Sequence, residues 1–107
     1  MLGDVAVVTM SGELDLALCV QAAPDLNAAL HSPARALVID LVAVSLVDSS
    51  GIALLLNAFR RLDQDGRKLA IACPMGPQRR AFALTALDRQ LSLYETRGDA
   101  LAAVGAG

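Results

Sequence analysis

The segment Val47-Asp48-Ser49-Ser50-Gly51 places three short polar side chains between an apolar run and a long amphipathic stretch. Such side chains accept hydrogen bonds from the free N–H groups of a helix's first turn, so one reading is an N-cap following a strand. The same turn permits a second chemistry. A helix N-terminus presents unpaired N–H groups and the positive end of the macrodipole, where a phosphorylated serine is well placed. Phosphorylation would add roughly −1.5 to −2 charges without unfolding the helix and would change what the surface binds. Both readings, cap and switch, follow from the residue types.

Other reactive residues are sparse. Gly12-Glu13-Leu14-Asp15 forms a second polar turn, in which Asp15 is suited to turn or N-cap duty. His31 is the only histidine and falls at a helix end, which leaves Ser49 without an imidazole base. Cys19 and Cys73 lie far apart with no Cys-x-x-Cys pair, so no three- or four-ligand metal site is expected. The two thiols read as small buried hydrophobes. Neither a phosphate-binding Gly-x-x-x-x-Gly-Lys-Ser/Thr loop nor a dinucleotide fingerprint is present. The sequence therefore predicts a protein that is not an enzyme and takes no cofactor or metal.

The elements that position these residues alternate along the chain. Strands are predicted at Val5–Met10, Ala36–Leu41, Lys68–Cys73 and Leu91–Tyr94, from short apolar and β-branched runs ended by turn residues. Helices are predicted at Pro24–His31, Ile52–Asp65, Pro77–Leu87 and Gly98–Val104, with Gly66 as a C-cap of the second. The first is started at Pro24 because proline belongs in a first turn and breaks a helix interior. The order β-α-β-α-β-α-β-α argues for an α/β sheet covered by helices. On a wheel of the second helix, Ile52, Leu55, Leu56, Phe59 and Leu62 face the sheet. Leu54, Asn57, Ala58 and Arg61 fall on the opposite side, which is expected to be a partner-binding patch beside the serines.

Composition narrows the function class. The 107 residues are 55% hydrophobic, 19% charged and 3% aromatic, which rules out intrinsic disorder. A chain of this size buries about 65% of its unfolded surface, enough for one core without disulfides. Nine Lys and Arg against eleven Asp and Glu leave a net charge of −2, and the pI is near 5.1. With one Tyr and two Phe, neither a basic footprint nor a stacking platform for direct nucleic-acid binding is present. The longest charge-free apolar run, Leu41 to Val47, is far too short for a membrane span. No basic region precedes Val5–Met10, so a cytoplasmic rather than secreted protein is expected.

Taken together, Gly12-Glu13-Leu14-Asp15, Leu41…Val47-Asp48-Ser49-Ser50-Gly51 and Gly76-Pro77-Gln78-Arg79-Arg80-Ala81-Phe82…Leu84-Thr85-Ala86-Leu87-Asp88 resemble the STAS domain of bacterial anti-sigma factor antagonists. The resemblance covers nearly the whole chain and implies a single STAS domain over residues 1–107. The implied fold is a small mixed β-sheet of about four or five strands packed against about four helices. It further implies that Ser49 is phosphorylated by an ATP-dependent anti-sigma factor (a serine protein kinase) and dephosphorylated by a serine phosphatase. The unphosphorylated form would bind the anti-sigma factor and free the sigma factor. Asp15, Asp48, Ser50, Gly51, Leu54, Ala58 and Arg61 are the expected partner-binding residues around Ser49, with a turn or cap role equally open to Asp15. Ser50 is expected mainly to cap the helix.

Three departures from the family pattern stand out. Only Met1–Asp4 precede Val5, where the family usually carries another strand; a monomer is expected, with edge pairing of Val5–Met10 into a dimer as the alternative. About one extra helical turn, Leu18–Gln21, separates Asp15 from Pro24. Ala86 stands where glycine is common, at a cost on the order of 1 kcal/mol if that position is left-handed. The same fold also serves as an accessory subunit of membrane transport assemblies of ABC type. Two adjacent serines favour the kinase-regulated branch.

Overall fold

The computed structural model describes residues 5–84 and 90–105. Eight elements alternate: β1 (Val5–Leu14), α1 (Leu16–His31), β2 (Ala36–Val47), α2 (Ser49–Gln64), β3 (Lys68–Ala72), α3 (Pro77–Leu84), β4 (Leu93–Tyr94) and α4 (Arg97–Ala103). The strands lie side by side in the order β1-β2-β3-β4. Four strands and four helices match the expected α/β architecture, and every pairing among the described strands is parallel. Parallel neighbours require crossover connections, and each crossover here carries a helix.

Side-chain alternation gives the sheet two unlike faces. Leu37, Ile39 and Leu41 of β2 and Leu69 and Ile71 of β3 pack in the main core with Leu26 and Leu30 of α1, Leu55 and Leu62 of α2, and Phe82 of α3. The opposite face carries Ala36, Val38, Ala70 and Ala72, on which Ala100 of α4 and Val104 rest. Small side chains on both surfaces let a seven-residue helix cover that face closely.

β1, α1, β2 and α2 run longer than the sequence patterns suggested, whereas β3 stops at Ala72 and β4 spans Leu93–Tyr94 in place of Leu91–Tyr94. Ser11-Gly12 does not end β1; Gly12 adopts φ +95° at a shift of register between β1 and β2, and pairing resumes through Leu14↔Val47. A glycine inside a strand marks such a bulge, since other residues rarely take this conformation. β2 likewise runs past Leu41 to Val47.

Helix α1 starts at Leu16, not Pro24, and holds Pro24 in its interior. Pro24 and Val20, the residue whose carbonyl loses its helical donor, both lie on the exposed side, where water can take that donor's place. α2 starts at Ser49, earlier than the apolar periodicity from Ile52 indicated. The predicted third helix is described as far as Leu84, and Ala86 lies outside the described residues.

Cations finish the helices at the other end of the sheet. Arg67 donates from Nε to the Ala34 carbonyl (2.6 Å) and from its two terminal nitrogens to the Leu30 (2.7 Å) and Ala29 (3.2 Å) carbonyls. Arg35 donates to the Val104 carbonyl at 2.6 Å. Guanidinium groups here satisfy orphan carbonyls and complement the negative ends of α1 and α4.

Candidate functional site at the end of the second strand

The C-terminal ends of parallel strands are where such sheets build sites, because each strand feeds a helix N-terminus there. β1 ends at Leu14 and hands over to Asp15; β2 ends at Val47 and hands over to Asp48. Asp15 is the N-cap of α1, its Oδ1 accepting from the Leu18 N–H at 2.9 Å. Asp48 is the N-cap of α2, its Oδ1 accepting from the Ser50 (2.8 Å) and Gly51 (3.1 Å) N–H groups. The Asp48 N–H in turn donates to the Leu14 carbonyl at 3.2 Å, tying the two turns together.

The capping work in the Asp-Ser-Ser-Gly turn is thus done by Asp48 rather than Ser50, which the sequence reading had cast as the cap. Ser50 contributes a backbone donor to Asp48. Ser49 is the first residue of α2, is exposed, and its turn is held by its neighbours. It lies on the rim of a cleft of about 270 Å³ bounded by Val47, Asp48, Ile52, Ala81 and Leu84. Ala81 and Leu84 come from α3, whose part in this site the sequence reading missed. A signal was present in the apolar pair Ala81 and Leu84, spaced i, i+3 on α3. Leu16, Leu46, Met75 and Leu84 are all exposed, and the first three flank the C-terminal ends of β1, β2 and β3.

Gly51 and Ala58, both expected to touch a partner, are buried. Gly51 is pressed against the end of β1: a Cβ there would meet Leu14 Cγ at 2.7 Å and the Leu14 carbonyl oxygen at 2.8 Å. Ala58 is 1% exposed, and the half-buried Leu54 packs against the main core. The wheel placed Leu54, Ala58 and Arg61 together correctly, but that side is not open. It lines a groove of about 340 Å³ whose other wall is Leu26, Asn27 and Leu30 of α1. That wall belongs to the Pro24–His31 part of α1, a helix the sequence predicted; its packing against α2 is what the wheel could not show. Arg61 stays exposed and places a terminal guanidinium nitrogen 3.1 Å from His31 Nε2. Because His31 Nδ1 lies 2.8 Å from the Asn27 carbonyl, its proton belongs there and Nε2 accepts from Arg61.

Both cysteines are buried. Burial raises the Cys19 thiol above its ordinary value of 9.0, and the carboxylates of Asp48 and Asp15 raise it further. Burial also raises Cys73, against an opposing pull from Arg79, which donates twice to the Cys73 carbonyl at 3.0 and 2.8 Å. Neither thiol has the character of a nucleophile. Among the described residues no group of three His, Cys, Asp or Glu side chains could hold a metal ion, and no helix is long and apolar enough to cross a membrane.

The parallel α/β architecture is one that known proteins share. The sequence matches the STAS domain over residues 2–100, and the chain belongs to that family. It is 31% identical over 103 residues to the anti-sigma-F factor antagonist RsfB of Mycobacterium tuberculosis, covering 96% of this chain and 84% of RsfB. The crystal structure of an anti-sigma factor antagonist from Mycobacterium paratuberculosis superposes with a TM-score of 0.84 at 34% identity, covering 94% of this chain and 86% of that one. The Bacillus cell fate determinant SpoIIAA, in its phosphorylated form, shares the fold with a TM-score of 0.69 at 24% identity, over 94% of this chain and 91% of its own.

Proposed function

We propose that this protein is an anti-sigma factor antagonist: a cytoplasmic, non-enzymatic binding module switched by phosphorylation of Ser49. Its partners would be an anti-sigma factor that is also a serine protein kinase, and a serine phosphatase. In the unphosphorylated state it occupies the anti-sigma factor and so releases a sigma factor. The observation that carries this reading is Ser49 itself, exposed at the first position of α2 on the rim of an apolar cleft. The similarity to RsfB supports it over nearly the whole chain.

The transfer is simple for the substrate side. Ser49 Oγ attacks the γ-phosphorus of ATP held by the kinase; the new O–P bond forms as the bond to the β–γ bridging oxygen breaks. ADP leaves, and the hydroxyl proton passes to a base of the kinase. Inside this protein the product meets a crowded electrostatic setting. Asp48 Oδ1 already accepts both nearby N–H groups of the turn, and a second carboxylate, Asp15, caps the adjacent helix. The added roughly −1.5 to −2 charges stay at the surface, beside the cleft that a partner would fill, and oppose docking.

The test uses the purified kinase partner and ATP. Wild type should gain one phosphate by intact mass, Ser49→Ala none, and phosphorylated protein should lose its affinity for the anti-sigma factor. Robust modification of Ser49→Ala that disappears in Ser50→Ala would move the site by one residue. Capture of a transporter ATPase in place of an anti-sigma factor would replace the reading with that of a transport accessory subunit.

A further inference from the structure

We infer that Leu14, through its contact with Gly51, is the seat that holds the Ser49 turn in the geometry a kinase must meet. The inference rests on Ser49 being the phosphoacceptor only for its functional consequence; the seat itself is a matter of packing. Three observations converge on one residue. The Leu14 carbonyl accepts the Asp48 N–H at 3.2 Å, which anchors the start of α2 to the end of β1. The Leu14 side chain, fully buried, fills the space over residue 51, leaving no room for a Cβ: its Cγ and Cδ2 would lie 2.7 and 3.0 Å away. The carbonyl oxygen would lie 2.8 Å from the same Cβ, and that contact is backbone, so a side-chain rotation cannot relieve it.

Glycine at 51 is therefore required by close approach and not by backbone conformation, since its φ is not in the left-handed region. Any larger residue must lift the first turn of α2 away from β1. That turn contains Ser49, and its two N–H bonds to Asp48 depend on the same alignment. The next residue after Leu14 is Asp15, the cap of α1, so the two polar turns share one mechanical support. Leu14 and Gly51 are positioning residues: both are buried, yet both determine where the Ser49 hydroxyl stands.

The experiment compares amide hydrogen exchange in D2O, by NMR, for wild type, Gly51→Ala and Leu14→Ala. A lost seat should speed exchange at residues 50 and 51 about fivefold or more beyond any change at Ile39 and Ile71 of the central strands. A change of purely global stability would move all these amides together. Leu14→Met, which keeps the volume in a flexible side chain, should leave the turn amides at their wild-type rates. With kinase and ATP, Gly51→Ala should lose up to about a hundredfold in kcat/KM, mainly in kcat. Uniform exchange across turn and core in both Gly51→Ala and Leu14→Ala would overturn the inference. Selective exchange in protein whose wild-type Ser49 no kinase modifies would uphold the seat and remove the proposed function.

Discussion

Asp15 and Asp48 stand one residue beyond the paired positions Leu14↔Val47, and each caps the helix that follows its own strand. The equivalence is geometric: adjacent parallel strands end level, so their helices start level. The two carboxylates are bound to separate helices yet act on a common neighbour, the buried Cys19 thiol, which both push upward. Ser49, directly after Asp48, is exposed.

Asp48→Ala should lower stability by about 1 kcal/mol, the usual cost of an N-cap, with Asp48→Asn retaining most of it. For a domain of this size that is a fall in Tm of about 4–8 °C, measurable by calorimetry. If the alanine variant melts like wild type, Asp48 is not the cap that anchors α2.

Burial at the α1–α2 groove makes this side of α2 sensitive to substitution. Ala58→Glu should cost about 3 kcal/mol or more, because a carboxylate would be forced into a site that is 1% exposed. Leu54→Glu should cost about 1–2 kcal/mol through lost apolar burial, and Asn57→Glu, on the exposed side, less than about 0.5 kcal/mol. Urea titration of the three variants gives the order directly. Equal stability across the set would mean that α1 does not cover this side of α2 in solution.

Arg67 should matter more than a surface arginine usually does. Its side chain is 13% exposed and donates to three carbonyls around the end of α1. Arg67→Ala should cost about 2–3 kcal/mol, and Arg67→Lys should recover little, since an ammonium cannot span the same fork. Chemical denaturation of both variants decides; full recovery by lysine would reduce the interaction to simple charge.

The raised thiols predict an alkaline loss of stability. Folded Cys19 and Cys73 keep their protons at pH values where the unfolded thiols, near the ordinary 9.0, ionise. The unfolded state then binds fewer protons than the folded one, so the thiols' contribution to stability is constant below about pH 8.5 and falls as pH rises beyond it. Cys19→Ala should flatten that decline relative to its own plateau at neutral pH. Native protein at pH 8 should react slowly with a thiol reagent, and rapid labelling of Cys19 would contradict its burial.

The α/β order and the polar turn that starts α2 were legible because they depend on neighbours in sequence. A run such as Ala36–Leu41 must be buried, and Asp48, Ser49 and Ser50 must meet the first N–H groups of the following helix wherever the chain goes. Even the family resemblance rests on such local segments. Local rules also misled where a longer-range partner outvoted them. Pro24 looked like a helix start, yet packing of Leu18, Cys19 and Ala22 against the core, together with the Asp15 cap, carries α1 back to Leu16. Gly12 looked like a strand end, yet pairing to β2 carries β1 through it.

What the sequence by itself determined was the set of residues offered at this turn: a cap, an exposed hydroxyl, and a glycine two positions beyond it. Which of the serines' neighbours are exposed was decided by tertiary structure alone. Ala58 is hidden because α1 lies over it, and Leu84 joins the Ser49 cleft because α3 packs on the same side of the sheet. Gly51 is obligatory because Leu14, thirty-seven positions earlier, ends its strand directly beneath. Hydrogen bonds within one turn are short-range and can be read from spacing. Contacts between turns depend on how whole elements dock, and no local pattern in the chain encodes that distance.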